Sequence, residues 1–109
     1  MKPGPEGWTR LPAAGVSACA LRVAERDIAY WKNLLESYEG LAIVRTVENL
    51  VGGFAVIALL ATPEMVAEAE AVIVDVQRED ATGFERVDLP GVVRADWFLA
   101  EWTREETGR

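Results

Sequence analysis

The sequence predicts a single α+β domain in which helices form one layer and an antiparallel sheet the other. Two segments, 28–39 and 63–79, repeat apolar residues at helical spacing. Three further segments, 16–24, 41–48 and 54–61, have the alternation, the β-branched content or the continuous apolar character of strands. A chain of 109 residues has the length of one ordinary domain. The order along the chain is therefore strand, helix, strand, strand, helix.

Local signals delimit the first strand and the first helix. In residues 16–24, apolar side chains alternate with smaller or polar ones, so one face is suited to a core. Asp27 offers an N-cap oxygen for a helix over 28–39, and Gly40 suits the left-handed position that ends it. The helix carries one apolar stripe, formed by Ile28, Trp31, Leu34, Leu35 and Tyr38.

The second and third strands are predicted to form a hairpin. Residues 41–48 are rich in β-branched side chains, and Gly52 and Gly53 follow where a tight turn is needed. Residues 54–61 are apolar on both faces. That pattern is typical of a central strand that is covered on both sides.

The second helix has the clearest start signal in the chain. Thr62 is predicted to cap it, Pro63 fits its first position, and Glu64 complements the positive end of the helix dipole. The apolar pattern continues to residue 79, and residues 84–89 predict a fourth strand.

These elements predict a ferredoxin-like two-layer sandwich with a βαββα core, because strand–helix–strand followed by strand–helix has the symmetry of a split β-α-β unit. This domain spans residues 16–93. Residues 1–15 are rich in proline and glycine and predict a flexible N-terminal segment. Residues 94–109 are predicted to form a C-terminal tail with a short helix over 96–105.

Composition and charge exclude several classes of partner. Half of the residues are apolar and 27% are charged, which is the balance of a globular protein. The net charge of −7 repels a phosphate backbone and the arginines are scattered, so we expect no nucleic-acid partner. The longest apolar run, 54–61, is too short to span a membrane, and the first residues lack the apolar core of a signal peptide. We therefore expect a cytoplasmic protein without a membrane partner.

The sequence has no histidine and one cysteine, Cys19, which restricts its chemistry. Without histidine, the usual general base, the commonest metal ligand and every Ser-His or Cys-His nucleophile are missing. Cys19 lies in an apolar run and suits a buried small hydrophobe. With no metal-ligand spacing and no glycine-rich phosphate loop, we expect no metal and no cofactor, and the sequence favours a protein without catalytic activity.

Three runs of sequence carry a resemblance to a known family. They are LRV at 21–23, DIAY at 27–30 and LESYEGLAIVRT at 35–46. Through them, residues 21–79 resemble an uncharacterised bacterial family of short proteins with no assigned function. The resemblance implies a βαββα sheet-and-helix layer and no known activity.

The layout is also similar to that of ACT-type regulatory domains, which bind small ligands such as amino acids at dimer interfaces. Those domains usually place a glycine between the first strand and the first helix, which lets the backbone approach the ligand. This chain has Ala24, Glu25, Arg26 and Asp27 there. The departure argues against an ACT-like ligand site at that loop, and fold alone does not establish function.

The end of the first helix holds the first group of candidate ligand-binding residues. Glu36, Tyr38 and Glu39 bring two carboxylates and a phenol together. Acids are slightly unfavourable at a helix C-terminus, so Arg45 or a neighbouring subunit would compensate for them. The alternative is a solvated helix end with Tyr38 packed by its ring.

Arg22 and Arg45 form the second candidate group. If the first and second strands flank the third, two arginines on one face stand roughly 10 Å apart. That separation suits the bracketing of a carboxylate or phosphate, since guanidinium groups bind both bidentately. The alternative is that both are solvated arginines of the sheet.

The tail carries candidate interface residues. Trp97, Phe98 and Trp102 lie on its short predicted helix and hold a large apolar area. Three arrangements fit this pattern: packing over the chain's own open sheet face, a homodimer contact, or insertion into a partner's groove.

Together these patterns predict a small binding or regulatory module that self-associates as a dimer and acts through a small-molecule or protein partner. The alternative is a small cofactor-free enzyme of the dimeric α+β barrel type. A pocket with converging arginine and glutamate side chains would favour a ligand or substrate, whereas a flat apolar surface would favour a protein partner.

Overall fold

The computed structural model of the protein describes residues 7–11, 15–36 and 40–89. They form β1 (Thr9–Leu11), β2 (Val16–Ala24), α1 (Ile28–Glu36), β3 (Ile43–Leu50), β4 (Phe54–Ala61), α2 (Val66–Glu79) and β5 (Phe84–Val87). Short 3-10 turns, Glu25–Asp27 and Pro63–Met65, lead into the two helices. The predicted α+β class is confirmed. Neither helix of this part of the chain is long and apolar enough to cross a membrane.

All five strands belong to one antiparallel sheet with β2 and β4 at its centre. β4 pairs with β2 on one side and with β3 on the other. The opposite edge of β2 is shared, because β1 pairs with residues 16–18 and β5 with residues 20–23. The central position predicted for the strand at 54–61 is confirmed, and β5 supplies the predicted fourth strand.

β1 lies within residues 1–15, the segment that the sequence predicts to be flexible, and that prediction is not tested for the residues outside the described part. Leu11 is buried, and the indole N–H of Trp8 donates to Oε1 of Glu70 at 2.9 Å. The other oxygen of that carboxylate, Oε2, accepts from Nη2 of Arg86 at 2.7 Å. Trp8 and Leu11 are the two large apolar side chains of residues 7–11, and both contact the rest of the fold. The Glu70 carboxylate thus joins the residue before β1 to α2 and β5.

The helices pack on one face of the sheet and enclose the main core. α1 contributes Trp31 and Leu35, and α2 contributes Ala69 and Ile73, all with no exposed surface. The strands contribute Cys19, Leu21, Val23, Val44, Ile57, Leu59 and Ala61. The predicted apolar stripe of the first helix is confirmed at Trp31 and Leu35, while Tyr38 lies outside the described residues.

Trp31 is the bulkiest fully buried side chain of the described chain. Its ring meets the ring of Phe84 edge to face, with centroids 5.3 Å apart and planes at 83°. Among the described residues, its indole N–H has no hydrogen-bond acceptor. Leaving a buried donor unpaired costs about 1–3 kcal/mol, so the packing of the ring has to outweigh that cost.

The opposite face of the sheet, which we call the second face, is buried at its centre as well. It is formed by Ala18, Ala20, Arg22, Ile43, Arg45, Val56, Ala58 and Leu60, which the strand register places side by side. Ala18 and Ala58 have no exposed surface and Leu60 is 2% exposed. The prediction that residues 54–61 are covered on both faces is confirmed, since every residue of β4 after Phe54 is buried.

The β3–β4 hairpin turns at Gly52 and Gly53, as predicted. Their φ angles of +87° and +83° are ones that a residue with a Cβ atom rarely adopts. Thr62 occupies the N-cap position as predicted and Pro63 follows it, but the Thr62 side chain makes no capping hydrogen bond. Instead the Met65 N–H donates to the Thr62 carbonyl at 2.9 Å, so a 3-10 turn starts the helix.

Candidate functional site

A concave pocket of about 800 Å³ lies where β2 passes into α1. We call it the turn pocket, and its walls come from the end of β2, the turn after it, the start of β4 and the loop between α2 and β5. The lining residues are Arg22, Val23, Ala24, Arg26, Asp27, Phe54, Ala81, Thr82, Gly83, Phe84 and Glu85. The antiparallel pairing of Val23 with Phe84 brings the two loops to the same end of the sheet.

The hairpin after β3 holds the first wall in place. β2 ends at Ala24 and the chain enters the 3-10 turn Glu25–Asp27. The Glu25 N–H donates to the Gly53 carbonyl at 2.8 Å, which ties this turn to the β3–β4 hairpin. Phe54, the first residue of β4, follows directly and lines the same wall.

One side-chain hydrogen bond joins the two loops that line the pocket. Thr82 donates through Oγ1 to Oδ2 of Asp27 at 2.5 Å, across 55 positions of sequence. Asp27 is predicted to cap the first helix, but its carboxylate serves this contact. The segment before Thr82 can turn because Asp80 ends α2 in the left-handed conformation, with φ of 55°.

Arg22 is held in the pocket from two sides. Its Nη1 atom lies 3.2 Å from Oε1 of Glu85, and its guanidinium carbon lies 4.2 Å from the centroid of the Phe54 ring. A guanidinium over an aromatic face is attracted by the ring quadrupole. The Arg22 side chain is 39% exposed, so the group still reaches solvent while it is restrained.

Arg26 differs from the other charged residues of the pocket. It is exposed, and the described part of the chain offers it neither a hydrogen bond nor an ion pair. Asp27 is engaged by Thr82, and Arg22 and Glu85 engage each other. The two arginines and the two carboxylates carry no net formal charge together. The guanidinium of Arg26 is the charged group of this set that has no described contact.

The two predicted arginines lie on one face of the sheet but not in one site. Arg22 is paired in register with Val56 and Arg45 with Ala58, so both belong to the second face. They are two strands apart and offset by two residues, which corresponds to about 12 Å between Cα atoms. Arg22 lines the turn pocket and Arg45 does not. The bracketing of an anion between them stays a prediction.

The negative charge of Glu36 has other partners in the structure than the predicted Arg45. Its Oε2 atom accepts from the Val44 N–H at 2.8 Å and lies 3.7 Å from Nζ of Lys32. The first contact fastens the end of α1 to the start of β3, and the second lies within α1. Arg45 donates from Nη1 to the Val44 carbonyl at 3.2 Å, and its predicted compensation of Glu39 stays a prediction, because Glu39 lies outside the described residues.

The other predicted site residues lie outside the described residues, namely Tyr38, Glu39, Trp97, Phe98 and Trp102. Sequence reasoning missed Arg26, Asp27 and Thr82 as pocket residues. No local pattern marks these side chains; only the predicted topology, which brings a strand–helix turn and a helix–strand turn to the same end of the sheet, pointed to their two loops. The argument against the loop at 24–27 concerned only backbone approach, whereas this pocket is lined there by side chains.

Cys19 supplies no nucleophile near this site. It is 2% exposed, and burial raises the pKa of its thiol from 9.0 to about 12, with the Arg86 charge opposing the rise. The thiol is therefore protonated at neutral pH, and the prediction of a buried small hydrophobe is confirmed. The described residues also contain no group of three or more potential ligands placed to hold a metal ion.

Comparison with known proteins gives a family but no activity. The family described as a domain of unknown function, DUF4911, matches residues 21–79, a little over half of the chain. The match includes Arg22, Arg26, Asp27 and Phe54 and ends before Thr82. No curated protein and no solved structure matches the chain.

Proposed function

The chain belongs to the DUF4911 family of domains of unknown function, and we propose that it is a small-molecule binding module whose ligand lies in the turn pocket. The proposal rests on this chain's own side chains, because the family description carries no activity. Its main support is Arg26, a cation without a described partner at a pocket whose other charges are already engaged. Concave sites with a few converging polar groups are the usual form of a ligand site.

We also propose that the fold is ferredoxin-like. After β1, the chain runs β2, α1, β3, β4, α2, β5, and the sheet order β5, β2, β4, β3 supports the proposal. β1 departs from that pattern because it shares the edge of β2 with β5. The pocket then lies between the first strand of the ferredoxin-like unit and its helix, the loop at which ACT-type domains approach their ligands.

The proposed ligand is a small anion with an apolar part. Arg26 is suited to a carboxylate or a phosphate, since its planar guanidinium donates to either in a bidentate manner. Phe54 and Phe84 give the pocket aromatic walls that would contact the apolar part. The Asp27 and Glu85 carboxylates limit how much negative charge the site accepts, which favours one anionic group over several.

A thermal-shift screen with small carboxylates and small phosphates tests the proposal. A true ligand at a hundredfold its dissociation constant adds about 2.7 kcal/mol to the free energy of unfolding. For a domain of this size, the unfolding midpoint then rises by roughly 10 °C or more. Arg26→Gln should abolish the rise, because it removes the free guanidinium without disturbing the Arg22–Glu85 and Thr82–Asp27 pairs.

Arg78→Gln is the matched control for that variant. Arg78 is 71% exposed on α2, pairs with Asp75 and does not line the pocket, so its loss should leave the ligand-induced rise unchanged. A rise that survives Arg26→Gln, or a flat response to both compound classes, would contradict the proposal.

Catalysis is not part of the proposal. The alternative of a cofactor-free enzyme needs a carboxylate that is free to move a proton at the pocket. The two pocket carboxylates are both engaged, Asp27 by the Thr82 hydroxyl and Glu85 by Arg22. Nothing in this arrangement favours a reaction over binding.

We further propose that the protein forms a homodimer through β3. Within the described residues, β3 is an eight-residue strand that pairs on one side only, with β4. A second copy can add there by antiparallel pairing. Sedimentation equilibrium of the full chain should give twice the monomer mass, rising with concentration to that value. A monomer mass throughout would contradict this proposal and leave the pocket proposal untouched.

A further inference from the structure

The second face is excluded from water although no described helix packs on it. α1 and α2 both pack on the opposite face, with the main core between them and the sheet. Even so, Leu60 is 2% exposed, and Ala18 and Ala58 are not exposed at all. The described apolar residues next to them, Leu11, Ile43, Val47 and Leu89, are single side chains contributed by the strands and their flanks. A sheet face without a second layer would leave a leucine at its centre in contact with water.

We propose that residues 90–109 of the same chain cover the second face. Leu89, the last described residue, packs against this cluster, so the chain leaves β5 on the correct side of the sheet. The 20 residues that follow carry four large apolar side chains: Trp97, Phe98, Leu99 and Trp102. The other segments outside the described residues, 1–6, 12–14 and 37–39, each carry at most one.

The dimensions agree with this occupant. The helix that the sequence predicts over 96–105 would be about 15 Å long. Four strands side by side span about 14 Å, so such a helix reaches across the sheet. The segment is attached to the face by Leu89 itself, and a covalently attached occupant does not pay the translational entropy that a separate partner would pay.

The full-length double variant Trp97→Ser/Trp102→Ser tests the proposal. Removing the two largest side chains of the segment should uncover the second face, so the dye ANS should bind and fluoresce, whereas the parent chain should leave it dark. The increase should be the same at every protein concentration, because the covering segment belongs to the same chain. Tyr30→Ser is the control: Tyr30 is a 38% exposed aromatic on α1, and its loss should leave the second face covered and dark.

Three results would overturn the proposal. The first is a folded double variant that binds no more dye than the parent, because the face is then covered by something else. The second is a parent chain that begins to bind the dye on dilution, because a second copy is then the cover. The third comes from hydrogen exchange on the parent chain, which remains informative if the double variant does not fold. Peptides from 90–109 should be protected at all concentrations, and free exchange there would exclude them as the cover.

Discussion

Replacing Trp31 by alanine is expected to lower the free energy of unfolding by about 3–5 kcal/mol. The side chain is fully buried between α1 and the sheet and meets the ring of Phe84 at 5.3 Å. Its removal leaves a cavity that a helix packed on a sheet cannot fill by collapse. Urea unfolding followed by circular dichroism measures the loss, which should appear as a lower midpoint with an unchanged slope.

Trp31→Phe is the matched comparison. It keeps an aromatic ring against Phe84 and removes the indole N–H that has no acceptor among the described residues. Relief of that unpaired donor offsets part of the lost packing, so the expected loss is only about 1–2 kcal/mol. Equal losses for the alanine and phenylalanine variants would show that the N–H is satisfied and that this account of Trp31 is wrong.

Replacing Glu70 by alanine is expected to cost about 2 kcal/mol of the free energy of unfolding. The variant loses two hydrogen bonds to one carboxylate, from Trp8 at 2.9 Å and from Arg86 at 2.7 Å. Charge-assisted bonds are stronger than neutral ones, and the Glu70 side chain is only 21% exposed, so solvent replaces them poorly. Urea unfolding measures the cost, and hydrogen exchange should show the amides of β1 exchanging faster.

Asp75→Ala controls for the loss of an acidic residue from α2. Asp75 pairs with Arg78 at 2.9 Å, but its side chain is 58% exposed and that of Arg78 is 71% exposed. Such a surface pair contributes less than about 1 kcal/mol, so this variant should unfold close to the parent. If the Glu70 and Asp75 variants had the same free energy of unfolding, the contacts of Glu70 would contribute no more than an exposed ion pair, and they would not hold β1 in place.

The sequence predicts the central elements because their signals are local. The apolar run at 54–61 has the length and the flanking glycines of a strand covered on both faces, and the stripe through Trp31 and Leu35 identifies the buried side of α1. β1 escapes such reasoning. A strand of three residues, Thr9–Leu11, is too short to show an alternation of apolar and polar side chains. Its place in the sheet depends on pairing with β2 and on the contact between Trp8 and Glu70. Both depend on the completed fold.

The candidate site was predictable only in part. Arg22 was identified because the predicted strand order places it on one face of the sheet with Arg45. Asp27 and Thr82 were not, since a hydrogen bond across 55 positions leaves no trace in a single sequence. Arg26 carries no signal either, because an exposed arginine in a turn is common in any sequence. Its role as a pocket residue follows only from the folded position of the turn.

The arrangement of β1 and β5 along one strand bears on how far the chain can polymerise. A ribbon or filament grows only if every subunit has two unpaired sheet edges, because each added subunit must then offer an unpaired edge to the next one. In the described sheet, one edge is divided between β1 with three residues and β5 with four. Neither strand is long enough to favour pairing with another chain. The other edge strand, β3, has eight residues, and its pairing with β4 shifts register between Thr46 and Glu48. If the proposed pairing through β3 occurs, a chain with one edge available among its described strands would pair once and stop, which predicts a closed twofold assembly and resistance to fibre formation.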